Sequence, residues 1–156
     1  MKTCVLILDN LRSIENTGSI FRTADGLGVS KIYLVGTTPA PLDRFGRKRQ
    51  DFAKVSLGAE ETIEWEYAKE ISPVIRSLKE QDFQIISLEQ NPRSIPLQAA
   101  SSKLQAFALI VGNEVDGVSQ EALELSDEIV EIEMQGEKES LNVSVATGIA
   151  LFALMG

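Results

Sequence analysis

Short apolar runs alternate with amphipathic segments along the chain. The runs are rich in β-branched residues and show little alternation of apolar and polar positions. This pattern is typical of strands that are covered on both faces of a sheet. We predict strands over residues 4–8, 31–35, 63–66, 84–88, 107–111 and 128–132.

Helical periodicity fills most of the intervals between these strands. It predicts helices over residues 17–27, 68–81, 120–125 and 141–154, and Pro73 should mark a start or a kink in the second of them. Strands that alternate with helices predict an α/β fold, with a mostly parallel sheet and helices on both faces. Segment 37–51, which contains Pro39, Pro41 and Gly46, is the longest candidate for a mobile loop.

Composition narrows the class of protein. The chain has 156 residues, of which 44% are hydrophobic, so one domain with a substantial core is expected. No apolar stretch reaches membrane-spanning length and the N-terminus lacks a signal-peptide pattern, so we expect a cytoplasmic protein. The single cysteine, Cys4, lies in an apolar run and is predicted to be a buried small hydrophobe.

The sequence contains no histidine. This absence excludes Ser-His-Asp and Cys-His nucleophilic catalysis, and it excludes every metal site with a histidine ligand. A single cysteine also excludes a thiolate zinc site, so no metal is expected. Any acid–base chemistry must use carboxylates, Lys, Tyr, Arg or the substrate itself.

Charge is distributed unevenly along the chain. The net charge is −8, yet residues 1–58 carry 9 Lys/Arg against 5 Asp/Glu, whereas residues 59–156 carry 6 against 18. A local basic patch, rather than the total charge, determines where phosphates dock. Basic residues are densest between positions 44 and 54, and this segment is either an RNA-binding surface or a solvated loop. Its candidate residues, with Arg12 as a further one, are Arg44, Arg47, Lys48, Arg49 and Lys54.

A first motif, NTGSIFRTA, covers residues 16–24. Asn16 and Thr17 are expected to cap the helix that follows, and Gly18 permits a close approach to the backbone. Arg22 lies six residues after Asn16 and is expected near the same end of the helix. Alternatively, Asn16 is only a cap and Arg22 only a surface ion-pair partner.

Two further motifs follow strands near the end of the chain. Residues 110–114 read IVGNE, and Gly112 there leaves room for a ligand against the main chain at the carboxyl end of a strand. Residues 132–136 read IEMQG, and residues 140–146 read SLNVSVA. Ser140 or Asn142 is expected to begin an almost wholly apolar helix, which must be buried or lie in an interface.

In this order and spacing the three motifs resemble those of the SpoU/TrmH family of RNA ribose 2′-O-methyltransferases, within the SPOUT class. The resemblance covers essentially the whole chain. One departure is Ile132-Glu133-Met134, where the family usually has Ile-Pro-Met, which leaves the rigidity and the exact path of this loop open.

The resemblance implies a SPOUT fold with a deep C-terminal trefoil knot and a homodimer whose active site lies at the interface. Residues 1–156 would be a single catalytic domain without an appended RNA-binding domain. The cofactor would be S-adenosylmethionine, without a metal. By resemblance, its cleft would include Leu88, Gly112, Ile132, Met134, Ser140 and Leu141.

The chemistry implied by the family is attack of a ribose 2′-hydroxyl on the S-methyl group. Arg22 would remove the hydroxyl proton or, because a guanidinium is normally always protonated, clamp a phosphate and stabilise the forming alkoxide. By the same resemblance, supporting catalytic roles fall to Asn16, Glu114, Ser140 and Asn142, with Glu114 holding the geometry of the arginine.

The leading hypothesis is therefore a 2′-O-methyltransferase that acts on tRNA. Ribosomal RNA is the alternative substrate, and a non-catalytic knotted RNA-binding protein is the alternative class. A dinucleotide-binding domain is disfavoured because no G-x-G-x-x-G turn follows the first strand.

Overall fold

A seven-stranded sheet forms the centre of the molecule, and every strand pairing in it is parallel. The structure is a computed structural model that describes residues 2–100 and 104–156. The strand order is β3-β2-β1-β6-β4-β7-β5. The strands are β1 (Thr3–Asp9), β2 (Lys31–Val35), β3 (Glu64–Ala68), β4 (Gln84–Leu88), β5 (Ile95–Pro96), β6 (Ala106–Gly112) and β7 (Glu128–Glu131).

Helices cover both faces of this sheet, which confirms the predicted α/β class. A short 3₁₀ helix, Leu97–Ala99, follows β5. The α-helices are α1 (Ile14–Leu27), α2 (Gln50–Ser56), α3 (Ala59–Thr62), α4 (Ile71–Glu80), α5 (Gln120–Leu125) and α6 (Val143–Met155).

The side chains of β1 show how the two faces are filled. Leu6 and Leu8 belong to a core that includes apolar residues of α1, α2, α3 and α6. Val5 and Ile7 point to the other face and join a core built with α4 and α5. Both sets are buried, and this explains why the strands read as nearly continuous apolar runs.

Cys4 is fully buried in the first core, as predicted. Burial raises the pKa of its thiol to about 12. The thiol therefore stays protonated and is a packing group rather than a nucleophile.

Most predicted elements are present, but two predictions were wrong. Residues 68–81 are not one helix: Ala68 ends β3, and α4 begins at Ile71 with Pro73 in its first turn, where proline is tolerated. Segment 37–51 contains an ordered hairpin closed by an antiparallel bridge between Leu42 and Lys48, and α2 begins at Gln50.

The connection between β4 and β5 crosses the carboxyl end of β7, because β7 lies between these two strands. Glu89 at the start of this connection donates its N–H to the Val130 carbonyl at 2.9 Å. The chain that leaves β7 must pass this connection before it enters α6, and Gln90 Nε2 donates to the Glu139 carbonyl at 2.8 Å along that path. Among the helices described, none combines the length and the apolar character needed to cross a membrane.

Candidate functional site

A cleft of about 870 Å³ opens at the carboxyl edge of the sheet, between the ends of β4, β6 and β7 and the start of α6. Residues from all three sequence motifs line this cleft. The carboxyl edge is the part of an open parallel sheet where ligands bind. Every residue predicted to contact a cofactor lines this cleft: Leu88, Gly112, Ile132, Met134, Ser140 and Leu141. The structure thus brings together residues that are up to 53 positions apart in the sequence.

Asn142 connects the third motif to the first. Its Oδ1 accepts from the N–H groups of Ser144 at 2.9 Å and Val145 at 3.4 Å and so caps α6. Its Nδ2 donates to Asn16 Oδ1 at 3.1 Å. This bond aligns the starts of α1 and α6 at the mouth of the cleft.

The expectation that Asn16 and Thr17 cap α1 was wrong. Ser13 is the cap, and its Oγ accepts the Asn16 N–H at 3.0 Å. Asn16 lies in the first turn of the helix and therefore keeps its own side chain free for Asn142. Thr17 is buried and donates its hydroxyl to the Ser13 carbonyl at 2.8 Å.

Glu114 acts on the backbone that leads into α1. Its carboxylate accepts from Ser13 N at 3.1 Å and from Arg12 N at 3.4 Å. Within the described chain it thus holds the loop before α1. The effect is to fix the position of the helix that carries Asn16. The expected support of Arg22 by Glu114 stays a prediction.

Gly112 is required by the chain itself, and not only by a ligand. A Cβ built at Gly112 would lie 2.2 Å from both the Gly117 carbonyl carbon and the Val118 nitrogen. The turn folds back because Asn113 and Gly117 exchange two backbone hydrogen bonds, at 3.1 and 2.9 Å. This turn forms one wall of the cleft.

Glu89 is a site residue that sequence reasoning missed. It follows the last residue of β4, lines the cleft, and accepts the Val118 N–H at 2.7 Å and the Gln90 N–H at 3.0 Å. It thereby joins two walls of the cleft. The signal that could have found it is its place directly after a buried strand, at the edge of the sheet where ligands bind.

Gly18 also serves packing rather than a ligand. A Cβ at Gly18 would lie 2.8 Å from the Val55 Cβ, so the glycine allows α2 to approach α1. Phe52 of α2 and Phe21 of α1 complete this packing with an edge-to-face ring pair, whose centroids are 5.1 Å apart.

Arg22 is exposed on α1 and does not line the cleft of its own chain. It lies about 9 Å along the helix axis from Asn16 and on another face, so the two do not lie together at one end of the helix as expected. Thr23, the next residue, faces Gly148 of α6. Helix α6, which packs against α1, exposes an apolar face on which Val145, Ile149 and Phe152 are 51%, 43% and 72% exposed.

Nearby acidic residues form ion pairs with three side chains of the basic segment. Arg47 pairs with Asp43 at 3.0 Å, Arg49 with Asp51 at 3.0 Å, and Lys48 with Glu61. The pKa of the Asp43 carboxyl is lowered, chiefly because it accepts the Arg47 backbone N–H. Lys54 is exposed on α2, and Arg12 lies 3.7 Å from Asp116 at the rim of the cleft.

Comparison with known proteins gives this geometry a context. A sequence model of the SpoU rRNA Methylase family matches residues 3–152. The chain is 35% identical over 149 residues to a 23S rRNA (guanosine-2′-O-)-methyltransferase, RlmB, of Pectobacterium atrosepticum, a match that covers 95% of this chain and 57% of that protein. It is 31% identical over 155 residues to the tRNA (guanosine(18)-2′-O)-methyltransferase of Aquifex aeolicus, covering 97% of this chain and 68% of the relative.

Solved structures show the same fold. The AdoMet-bound rRNA methyltransferase of Sinorhizobium meliloti superposes with a TM-score of 0.85 at 27% identity, over 97% of this chain and 55% of that one. The chain thus spans little more than half the length of its rRNA-modifying relatives.

Proposed function

The chain belongs to the SpoU methylase family, and we propose that it transfers a methyl group from S-adenosylmethionine to a ribose 2′-hydroxyl of RNA. The observation that carries this proposal is the single cleft in which Asn16, Gly112 and Asn142, one residue from each motif, meet. Both curated relatives named above are RNA 2′-O-methyltransferases.

The residues of the cleft fit S-adenosylmethionine. Leu88, Ile132 and Leu141 offer apolar walls for an adenine, and the backbone of the Gly112 turn and of the loop at Met134 offers polar groups beside them. When bound, S-adenosylmethionine supplies an activated methyl group on a sulfonium. The apolar walls hold the cofactor, and Asn16 and Asn142 orient the groups at the mouth of the cleft.

Arg22 has the chemistry to bind the RNA. We assign its guanidinium, through its N–H donors, to clamp the phosphate beside the target ribose and to stabilise the negative charge that develops on the 2′-oxygen. The 2′-hydroxyl proton passes to solvent water. Alignment of the hydroxyl is the main task that remains for the enzyme, because the methyl donor is already activated.

The position of Arg22 supports a homodimer. The side chain is exposed outside the cleft of its own chain, on the helix that packs against α6, and α6 exposes an apolar face formed by Val145, Ile149 and Phe152. Such a face, repeated every helical turn, is suited to pack against a second copy across a twofold axis. In that dimer, Arg22 of each chain serves the cleft of the other.

Three further properties belong to the same proposal. We infer a C-terminal trefoil knot. The path of the chain supports it, because the segment from β7 to α6 passes the β4–β5 connection. We also infer that residues 1–156 act as one catalytic domain, in the cytoplasm. The knot would hold the walls of the cofactor cleft together.

Transfer RNA is the proposed substrate, and ribosomal RNA is the second candidate. Each is named for a curated relative, at 31% and 35% identity respectively. A non-catalytic RNA-binding role is disfavoured because Asn16, Arg22, Glu114, Ser140 and Asn142 are all present.

Calorimetry tests the cofactor assignment. We expect S-adenosylmethionine and S-adenosylhomocysteine to bind with dissociation constants between about 1 µM and 1 mM, and with equal affinity in EDTA. Binding that requires a divalent ion, or the absence of binding heat at millimolar ligand, would refute the assignment of this cleft to S-adenosylmethionine.

Replacement of Phe152 with glutamate tests the dimer. A charge in the centre of an apolar interface is costly to desolvate, so Phe152→Glu should sediment at the 17.1 kDa mass of one chain, and the wild type at twice that mass. Leu57→Glu is the matched control, because Leu57 is also an exposed apolar residue but lies outside the α6 face. A dimeric Phe152→Glu protein, or a monomeric wild type, would refute the interface.

A further inference from the structure

The hairpin between β2 and α2 presents an exposed aromatic ring between two arginines. Phe45 is 67% exposed at its tip. The guanidinium carbons of Arg44 and Arg47 lie 4.9 and 5.1 Å from the ring centroid. The three side chains form what we term the Phe45 cluster.

The hairpin is built to hold this ring in place. Asp43 Oδ1 accepts the N–H groups of Phe45 at 2.8 Å and Arg47 at 2.9 Å, and the Asp43 carbonyl accepts from Gly46 at 2.9 Å. Gly46 has a φ of +78°, which a residue with a side chain rarely adopts. A ring that the hairpin already holds outward is preorganised for a ligand, because it loses little conformational entropy on binding.

The position of the hairpin relates it to the cleft. It follows the carboxyl end of β2, and the cleft lies at the carboxyl ends of β4, β6 and β7, so both are at the same edge of a parallel sheet. β2 is two strands from β6, a separation of about 10 Å. The rings of Phe52 and Phe21 attach the helix after the hairpin to α1, which carries Arg22.

We propose that Phe45 stacks on an unpaired base of the RNA substrate, with a phosphate contact from Arg44 beside it. The proposal rests on the proposed function, because it places this base beside the nucleotide that is methylated. Aromatic rings and guanidinium planes are the groups on which unstacked bases pack in single-stranded RNA. A protein partner is less suited, because the cluster is one ring among charges and not a contiguous apolar patch.

The two arginines differ in their freedom. Arg47 is fixed to Asp43 by its side chain. Over residues 2–100 and 104–156, no carboxylate lies within ion-pair distance of Arg44. Arg44 can therefore leave the face of the ring when a base arrives and pair with its phosphate.

The test uses a short fluorescein-labelled single-stranded oligoribonucleotide and the same sequence as a duplex. Phe45→Ala should weaken binding of the single strand about tenfold, and Phe45→Trp should restore it. Binding of the duplex should change little, because its bases are already stacked. Leu57→Ala, at another exposed apolar residue, is the matched control and should bind as the wild type.

Salt dependence separates stacking from charge. Phe45→Ala should leave the slope of log affinity against log salt unchanged. Arg44→Ala should instead flatten the slope by about 0.7, the contribution of one phosphate on a single strand. Equal weakening for single strand and duplex, no weakening, or no rescue by Trp would overturn the proposal. Calorimetry with S-adenosylmethionine on the same variants is independent of these results, so a failure of the proposed function is distinguishable from a failure of stacking.

Discussion

Arg22→Ala should reduce methyl transfer by a factor of about 10² to 10³, the usual loss when one donor to a developing oxyanion is removed. The affinity for S-adenosylmethionine should stay nearly unchanged, because we assign Arg22 to the ribose and phosphate of the RNA and not to the cofactor. Arg22→Lys should also fail, since a point charge does not replace a planar fork with two donors. Single-turnover transfer from labelled cofactor, beside calorimetry, measures the two effects separately.

Arg76→Ala is the matched control for Arg22. Arg76 is an exposed arginine on α4, which packs on the opposite face of the sheet, so its loss should leave transfer intact. Transfer at the wild-type rate in either Arg22 variant would remove this residue from the mechanism.

Gly112→Ala should abolish binding of S-adenosylmethionine, with a loss of affinity of about 100-fold or more. The new Cβ would lie 2.2 Å from backbone atoms of Gly117 and Val118, and backbone cannot move aside as a flexible side chain can. Overpacking of this kind typically costs 1–3 kcal/mol, here about 3 kcal/mol because the turn that forms the cleft wall must shift. Calorimetry gives the affinity, and circular dichroism shows whether the fold is retained.

Gly136→Ala is the control for Gly112. Gly136 lies in the loop between β7 and α6, and no atom lies within 4 Å of a Cβ built there. Its replacement should leave affinity unchanged. A Gly112→Ala protein that binds the cofactor as the wild type does would show that the turn is not a wall of the cofactor site.

The two variants together test whether Arg22 acts across the dimer. In a refolded equal mixture of Arg22→Ala and Gly112→Ala chains, half of the dimers are mixed, and each mixed dimer contains one intact site. Activity should therefore return to about a quarter of the wild-type value. An inactive mixture, with mixed dimers verified by mass spectrometry, would place Arg22 and its cleft on the same chain.

The apolar pattern was sufficient to predict the sheet, because parallel strands covered on both faces leave a strong signal. Residues 31–35 and 84–88 match β2 and β4 residue for residue. α3 was missed because its four residues make barely one helical turn and show no periodicity. β5 was missed because it contributes only Ile95 and Pro96. α2 was missed although it is one residue longer than α5, which was predicted residue for residue.

The predicted cofactor-binding residues line one cleft, whereas Arg22 lies outside it and the contacts among the other residues were not predicted. Motif spacing identified residues that do line one cleft, yet it assigned the cap of α1 to Asn16 when Ser13 is the cap. It also assigned the room at Gly112 to a ligand, whereas a Cβ there would meet the backbone of Gly117 and Val118 in the same chain. The close approach expected at Gly18 comes from Val55. Which atoms approach a glycine depends on tertiary geometry, which local pattern does not contain.

The central claim is methylation of an RNA ribose, and one assay tests it most directly. The purified protein is incubated with labelled S-adenosylmethionine and total RNA from a deletion strain, and the RNA is digested to nucleosides. We predict label in a 2′-O-methyl nucleoside with the wild type and none with Arg22→Ala. Label on a base, or no label from a dimer that binds S-adenosylmethionine, would contradict the account.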